Sequence, residues 1–275
     1  MLKELIAIVD SAEEAAPFLK KAVEFADAQE ARLAVTVLSK DLVSLVATSP
    51  FGIFPVPFDE MAEDQQAVLE QVRSHLPRSD TPVEVRGVME DPTLLRGVSR
   101  VEGRYADVLL LGSSTSYVDH KLRRRLIETA LMSSGGPVLV FPESGSIGRV
   151  RYAVVGWNAS GEARRALRDL MDIIEPGGKI DVVVVDPEPS PLGHGPSPGA
   201  DIAHLLARHG YEVDVVQESS VGRSEAEALE GYVLDKGADL LAIGAFAHSR
   251  VRDILLGGVT NKLVEGNRVP VLLSR

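Results

Sequence analysis

The sequence predicts an α/β protein made of two tandem domains, each a doubly wound, five-stranded parallel sheet. Three observations carry this. Two segments recur at a near-constant offset. Short runs rich in Val, Ile and Leu alternate with longer amphipathic stretches. The short runs are near-continuous in apolar residues, as in strands buried on both faces of a parallel sheet. The repeat is clearest where Ala106-Asp107-Val108-Leu109-Leu110-Leu111-Gly112 resembles Ala238-Asp239-Leu240-Leu241-Ala242-Ile243-Gly244, an offset of 238 − 106 = 132. The later runs Pro137-Val138-Leu139-Val140 and Pro270-Val271-Leu272-Leu273 lie 270 − 137 = 133 apart. Two copies at a fixed spacing read as one unit used twice, not as a solenoid.

In the first copy the predicted strands are Leu5–Val9, Leu33–Leu38, Val83–Val88, Val108–Leu111 and Val138–Phe141. The first ends in Asp10-Ser11. A helix is predicted over Glu13–Ala28, where Ala16, Leu19, Ala22, Val23 and Ala26 form one stripe at spacings of three and four. The second copy repeats the order, with strands near Tyr152–Trp157, Ile180–Val185, Val213–Val216, Leu240–Ile243 and Val271–Leu273. Its first strand runs into Asn158-Ala159-Ser160, and aligning Asn158 with Asp10 gives an offset of 148. Helices are expected near Glu162–Ile174, Ile202–His209, Ser224–Lys236 and Val259–Glu265. Strand–helix alternation implies right-handed crossovers. The small, polar segment Glu143–Gly148 marks the expected boundary, giving domains 1–146 and 147–275. Two Pro/Gly-rich stretches follow the second strands, Thr48–Pro57 and Pro187–Gly199. The first is apolar enough to pack; the second is expected to be mobile.

Composition narrows the function classes. The chain has 275 residues, 45% hydrophobic and 25% charged, which suits a globular protein with a real core. With 29 Lys+Arg against 40 Asp+Glu, the net charge is −11. Such a surface repels nucleic acid and anionic lipid, so any anion site must be local. With no cysteine, disulfides, thiolate metal sites and a Cys nucleophile are excluded. No apolar run approaches a membrane span, and the N-terminal residues lack the pattern of a signal peptide. A cytoplasmic protein without membrane or nucleic-acid partners is expected.

In an open α/β sheet, ligands bind beyond the carboxyl ends of the strands, where strand order reverses. After the fourth strand of the second copy stand Gly244, Ala247, His248, Arg250, Arg252 and then Gly257-Gly258-Val259-Thr260. Glycines before a helix let backbone N–H groups approach an anion, and the basic residues add local positive potential. Turn-forming glycines beside a solvated basic face are the competing reading, and spacing leaves both open. Other motifs point to structure. Ser133-Ser134-Gly135-Gly136 reads as a helix C-cap and turn. Pro176-Gly177-Gly178-Lys179 lacks the flanks of a P-loop. His204 and His209, five apart, do not share a helix face. Ser160 has no nucleophile elbow around it, and Trp157 reads as the end of a buried strand.

These motifs resemble the universal stress protein family, over nearly the whole chain. The family's nucleotide motif is Gly, two residues, Gly, nine residues, Gly, then Ser or Thr. Here Gly244 is followed by Ala247, Gly257 and Gly258, and Gly257-Gly258-Val259-Thr260 resembles the family's Gly-Ser-Val-Thr. Asn158-Ala159-Ser160 stands where the family has Asp-Gly-Ser. The resemblance implies a Rossmann-like, adenine nucleotide alpha-hydrolase-like fold and a stress-response binding module. It also implies an adenine nucleotide, ATP or another with Mg²⁺, held by Asn158, Ser160, Val185, Gly244, Ala247, His248, Arg250, Gly257, Gly258, Val259 and Thr260. Ala247, Gly258 and Asn158 depart from the pattern. The first copy departs further: after Gly112 come Ser113–His120 and the basic run Lys121–Arg125, read as a degenerate site beside a solvated helix face. Family dimers pair fifth strands, so Val138–Phe141 and Val271–Leu273 are expected to pair. A homodimer and a further protein partner are also implied. The rival readings are a slow ATPase, with Asp186 and Asp253 as candidate Mg²⁺ ligands, and a ligand-free scaffold.

Overall fold

A computed structural model describes residues 2–40, 58–90, 102–187, 195–245 and 258–275. The chain forms two compact units, Lys3–Gly136 and Pro137–Arg275. In the first, β1 (Glu4–Val9), β2 (Arg32–Lys40), β3 (Val83–Glu90) and β4 (Val108–Leu111) are parallel, in the order β3-β2-β1-β4. Helices α1 (Ala16–Gln29), α2 (Phe58–His75) and α3 (His120–Ser133) accompany them. The second unit holds β5 (Val138–Val140), β6 (Val150–Gly156), β7 (Ile174–Val185), β8 (Glu212–Glu218), β9 (Leu240–Gly244) and β10 (Val271–Ser274), with α4 (Gly161–Met171), α5 (Ala200–Arg208), α6 (Glu225–Lys236) and α7 (Gly258–Gly266). Its order is β5-β10-β9-β6-β7-β8. β1 thus sits between β2 and β4, and β6 between β7 and β9.

The apolar runs become the buried central strands, as β1, β4, β5, β9 and β10 are almost wholly buried. Helix α1 begins at Ala16 rather than Glu13, with Pro17 in its first turn, where a missing N–H is harmless and φ is already helical. It buries Phe18, Leu19, Ala22, Val23, Phe25 and Ala26. Each of the two phenylalanines contributes roughly 2–3 kcal/mol by leaving water.

Three expectations need correction. Helix α4 stops at Met171, and Ile174 already belongs to β7. Strand β7 then bulges: Val150 pairs with Ile174, but Tyr152 pairs with Lys179. The intervening Pro176-Gly177-Gly178 is accommodated because Gly177 takes φ +77°, the left-handed region open to glycine. Secondly, β8 is not buried on both faces. It ends the order in its unit and exposes Glu212, Asp214, Val215 and Gln217; charges there discourage pairing with another strand. Thirdly, Arg123 is not on a solvated face. It is 3% exposed, and its Nε donates to the Gly112 carbonyl at 2.8 Å. The stretches 41–57 and 188–194, with most of both Pro/Gly-rich loops, lie outside the described residues.

The fifth strands pair as the sequence suggested. β10 runs antiparallel to β5, with Val271 opposite Val140 and Leu273 opposite Val138. The seam between the units falls after Gly136, ten residues before the boundary read from composition. Pairing with β10 draws β5 into the second unit, and Asn267 Nδ2 donates to the Val140 carbonyl at 3.3 Å.

The two units make matched polar contacts. Asp107 Oδ2 accepts the backbone N–H groups of Lys3 and Glu4 at 2.6 and 2.9 Å. Asp239 Oδ2 accepts those of Arg151 and Tyr152 at 2.9 and 3.0 Å. The backbone replies in kind, with Asp107 N donating to Glu4 O and Asp239 N to Tyr152 O, both at 2.8 Å. Ion pairs recur too: Arg32 on β2 with Glu84 on β3, and Lys179 on β7 with Asp214 on β8 at 2.9 Å, each pair two residues apart in register. The repeated Ala-Asp dipeptide is therefore a structural clamp on the start of each first strand. Replacing either aspartate with alanine strands two donors, and each change should cost about 2 kcal/mol in urea unfolding. Because the two clamps lie in separate units, the double variant should show additive loss.

Candidate functional site

The candidate site lies at the carboxyl ends of β6 and β9. These strands are parallel neighbours, with Gly156 opposite Ile243, so their carboxyl ends lie side by side. Strand order reverses here, since β7 lies on one side of β6 and β9 on the other. That is the crevice position of a doubly wound sheet.

The turn Asn158-Ala159-Ser160 starts α4. Ser160 caps that helix, its Oγ accepting from Ala163 N at 3.1 Å. Asn158 Oδ1 accepts from Ser160 Oγ at 2.7 Å and from Ser160 N at 3.3 Å. Asn158 is exposed, and among the described residues its amide nitrogen meets no acceptor. Ala159 has φ +57°, a left-handed conformation unfavourable for a residue with a Cβ. Trp157 follows β6 rather than ending it, half-buried, with its N–H donated to Val183 O at 2.9 Å.

Gly244 has a different task from the one spacing suggested. A Cβ there would lie 2.4 Å from Ala163 N and 2.5 Å from the Glu162 carbonyl carbon. The glycine lets the end of β9 touch the first turn of α4. Gly258 is the first residue of α7 and exposed; a Cβ on it meets nothing within 4 Å. Thr260, two residues on, is 3% exposed. Val185 ends β7, half-buried. Ala247, His248, Arg250 and Gly257, with Arg252 and Asp253, lie outside the described residues. Of the sequence-derived set, the structure thus brings Asn158, Ser160 and Gly244 together around the start of α4.

Helix α7 is tied to α6 by Lys262, whose Nζ lies 2.7 Å from Glu227 Oε1. Glu227 also completes a capping box with Ser224, accepting Ser224 N at 2.7 Å. The Lys262 contact first, and the two Ser224 donors next, hold the Glu227 carboxyl down to about 2. Asp186, the first candidate Mg²⁺ ligand, is committed elsewhere. Its carboxylate accepts Ser219 Oγ at 3.3 Å and Ser220 N at 3.2 Å, and it bonds Ser220 Oγ. Those Ser220 and Ser219 contacts lower its pKa. Among the described residues, no group of three or more His, Asp or Glu side chains is arranged to hold a metal ion. His204 and His209 are both exposed.

Sequence reasoning missed the occupant of the matching crevice in the first unit. There Tyr117, 2% exposed, reaches the carboxyl ends of β1 and β4. Its hydroxyl donates to Ile8 O at 2.8 Å and accepts from Gly112 N at 3.3 Å. Asp10 is spent on the same loop, accepting Val118 N at 3.1 Å and Asp119 N at 2.9 Å. Burial raises the Asp10 carboxyl despite those donors. The signal was present as the lone tyrosine in Ser113–His120, but nothing in its spacing gave it a direction.

The sequence profile of the Universal stress protein family matches residues 151–275. Residues 151–275 belong to the universal stress protein family. A universal stress protein of Synechocystis sp. is 37% identical over 71 residues, 26% of this chain. The alignment spans about a quarter (24%) of that relative's length. The solved universal stress protein of Archaeoglobus fulgidus is similar in fold, with a TM-score of 0.63 at 16% identity over 99% of this chain and 96% of that one. A functionally unknown protein of Pseudomonas aeruginosa follows, with a TM-score of 0.54 at 13% identity over 99% and 92%. At such identities the likeness is one of fold alone. No helix among the described residues is long and apolar enough to cross a membrane.

Two tests follow for this universal stress protein unit. Ala159→Gly should relieve the left-handed strain and raise stability by about 0.5–1 kcal/mol, read as a higher urea midpoint. The Glu227 carboxyl is depressed from 4.5 when folded, so its contribution is complete above pH 4.5 and lost as pH falls towards 2. The Tm of Glu227→Gln should therefore fall less steeply than wild type between pH 5 and 2.

Proposed function

We propose that the chain is a cytoplasmic, tandem stress-response binding module that takes an adenine nucleotide at the crevice of its second unit. One observation carries this reading: the parallel pairing of β6 with β9 sets the Asn158–Ser160 turn against Gly244 at the reversal of strand order. The donor set suits a nucleoside. The Asn158 amide is exposed and offers N–H to a ribose hydroxyl or ring nitrogen, and the first turn of α7 carries N–H groups without intrahelical partners that can donate to phosphate. Resemblance to the family adds the adenine.

Binding is favoured over turnover. The oxygens of Asp186 are already held by Ser219 and Ser220, and no described side chain stands as a general base beside a nucleophile at the crevice. Mg²⁺, if it accompanies the nucleotide, would be held mainly by phosphate oxygens and water.

Calorimetry with ATP, ADP and AMP in the presence of Mg²⁺ tests the reading. Saturable heat with one of them is expected. Asn158→Ala should weaken binding about fivefold, the loss of one hydrogen bond worth about 1 kcal/mol. Gly258→Ser restores the family's hydroxyl where a Cβ meets open space, and should tighten binding. Silence with all three nucleotides would leave the ligand-free scaffold as the surviving account.

A further inference from the structure

The two units share a topology but not the state of their crevices. In the second, Asn158 is exposed, and among the described residues its carbonyl accepts only from its neighbour Ser160. In the first, the corresponding Asp10 spends one oxygen on Val118 N and the other on Asp119 N. These bonds pin the segment Tyr117–Asp119 across the carboxyl ends of β1 and β4. Asp119 in turn caps α3, accepting Lys121 N and Leu122 N at 2.9 and 3.2 Å. The segment is thus fixed at both ends.

The pinned segment delivers Tyr117 into the crevice. A planar aromatic ring lies there with one polar atom bridging two backbone groups: Ile8 O accepts from it and Gly112 N donates to it. That is the pattern in which a protein holds a small aromatic ligand, an apolar body fixed by a few placed polar contacts. Gly112 is closed off on its other side. A Cβ there would meet Ser116 Cβ at 2.6 Å and Phe18 Cγ at 2.8 Å. Arg123 seals the same glycine from below through its bond to Gly112 O.

We propose that Tyr117 is the built-in occupant of the first unit's crevice, so that this unit takes no nucleotide and the chain carries its ligand in the second unit alone. The last clause rests on the nucleotide reading above; the first does not.

The experiment has separable arms on the full chain. Tyr117→Ala deletes a phenol-sized body, so p-cresol should raise the Tm of this variant in a saturable way and leave wild type unmoved. Should the variant fail to fold, p-cresol during refolding should recover it. A variant that responds to p-cresol no more than wild type does, or that p-cresol does not help to refold, overturns the occupant. Tyr117→Phe keeps the ring and loses both bonds to Ile8 and Gly112; its Tm should drop by about 3 °C. A Tm equal to wild type would also overturn the proposal. Photolabelling with 8-azido-ATP should mark peptides only within 137–275, and label within 3–136 refutes the division of labour. No label anywhere, together with p-cresol rescue, removes the nucleotide reading and leaves the occupant standing.

Discussion

One carboxylate oxygen in each unit fixes what the rest depends on. Asp107 and Asp239 stand at the entry to the fourth strand and hold two successive N–H groups at the start of the first. The first and fourth strands are not consecutive in the chain, so nothing local sets their register. The clamp does, and in a parallel sheet register decides where the carboxyl ends finish. Were β9 to slip one residue against β6, each of its side chains would move to the opposite face of the sheet, and Gly244 would no longer meet Ala163. The geometry of the carboxyl ends is thus set about four residues away, at the opposite end of the strands.

The same frame then tolerates two outcomes. Given equal strand ends, the crevice is decided by the turns and loops that follow them. In the first unit the loop after β4 is short, bound by Asp10, and turns its tyrosine inward. In the second, a small turn caps α4 and leaves a polar amide exposed. Loops at the strand ends can differ in this way because they run over the end of the sheet rather than through its strands.

Much of the architecture was legible in the chain. The matched Ala-Asp and Pro-Val runs showed the repeat, and the continuous Val/Ile/Leu runs showed central parallel strands. Less legible was whatever depended on neighbours distant in sequence. Val213–Val216 looks like a core strand by composition and is an outer one, since nothing in seven residues states what lies beside them. Arg123 sits in a basic run that reads as solvated; its burial follows from the Gly112 carbonyl, eleven residues earlier. Gly244 was singled out for backbone approach to an anion, whereas the demand for glycine seen there comes from α4. At the site, Asn158 and Ser160 were readable because a capping turn is local. The inward turn of Tyr117 was not, because Ile8 and Asp10 direct it from more than one hundred residues away.

The place of β5 bears on how this chain can be dissected. The strand belongs by sequence to the first copy and by packing to the second, where it covers the outer edge of β10. A fragment starting at residue 147 would retain the whole matched family region and still leave the backbone of Val271–Leu273 bare along one side. Such an edge is a template for self-association. Fragments cut by sequence homology would then be sticky for a reason unrelated to biology, while a cut after Gly136 keeps the edge covered.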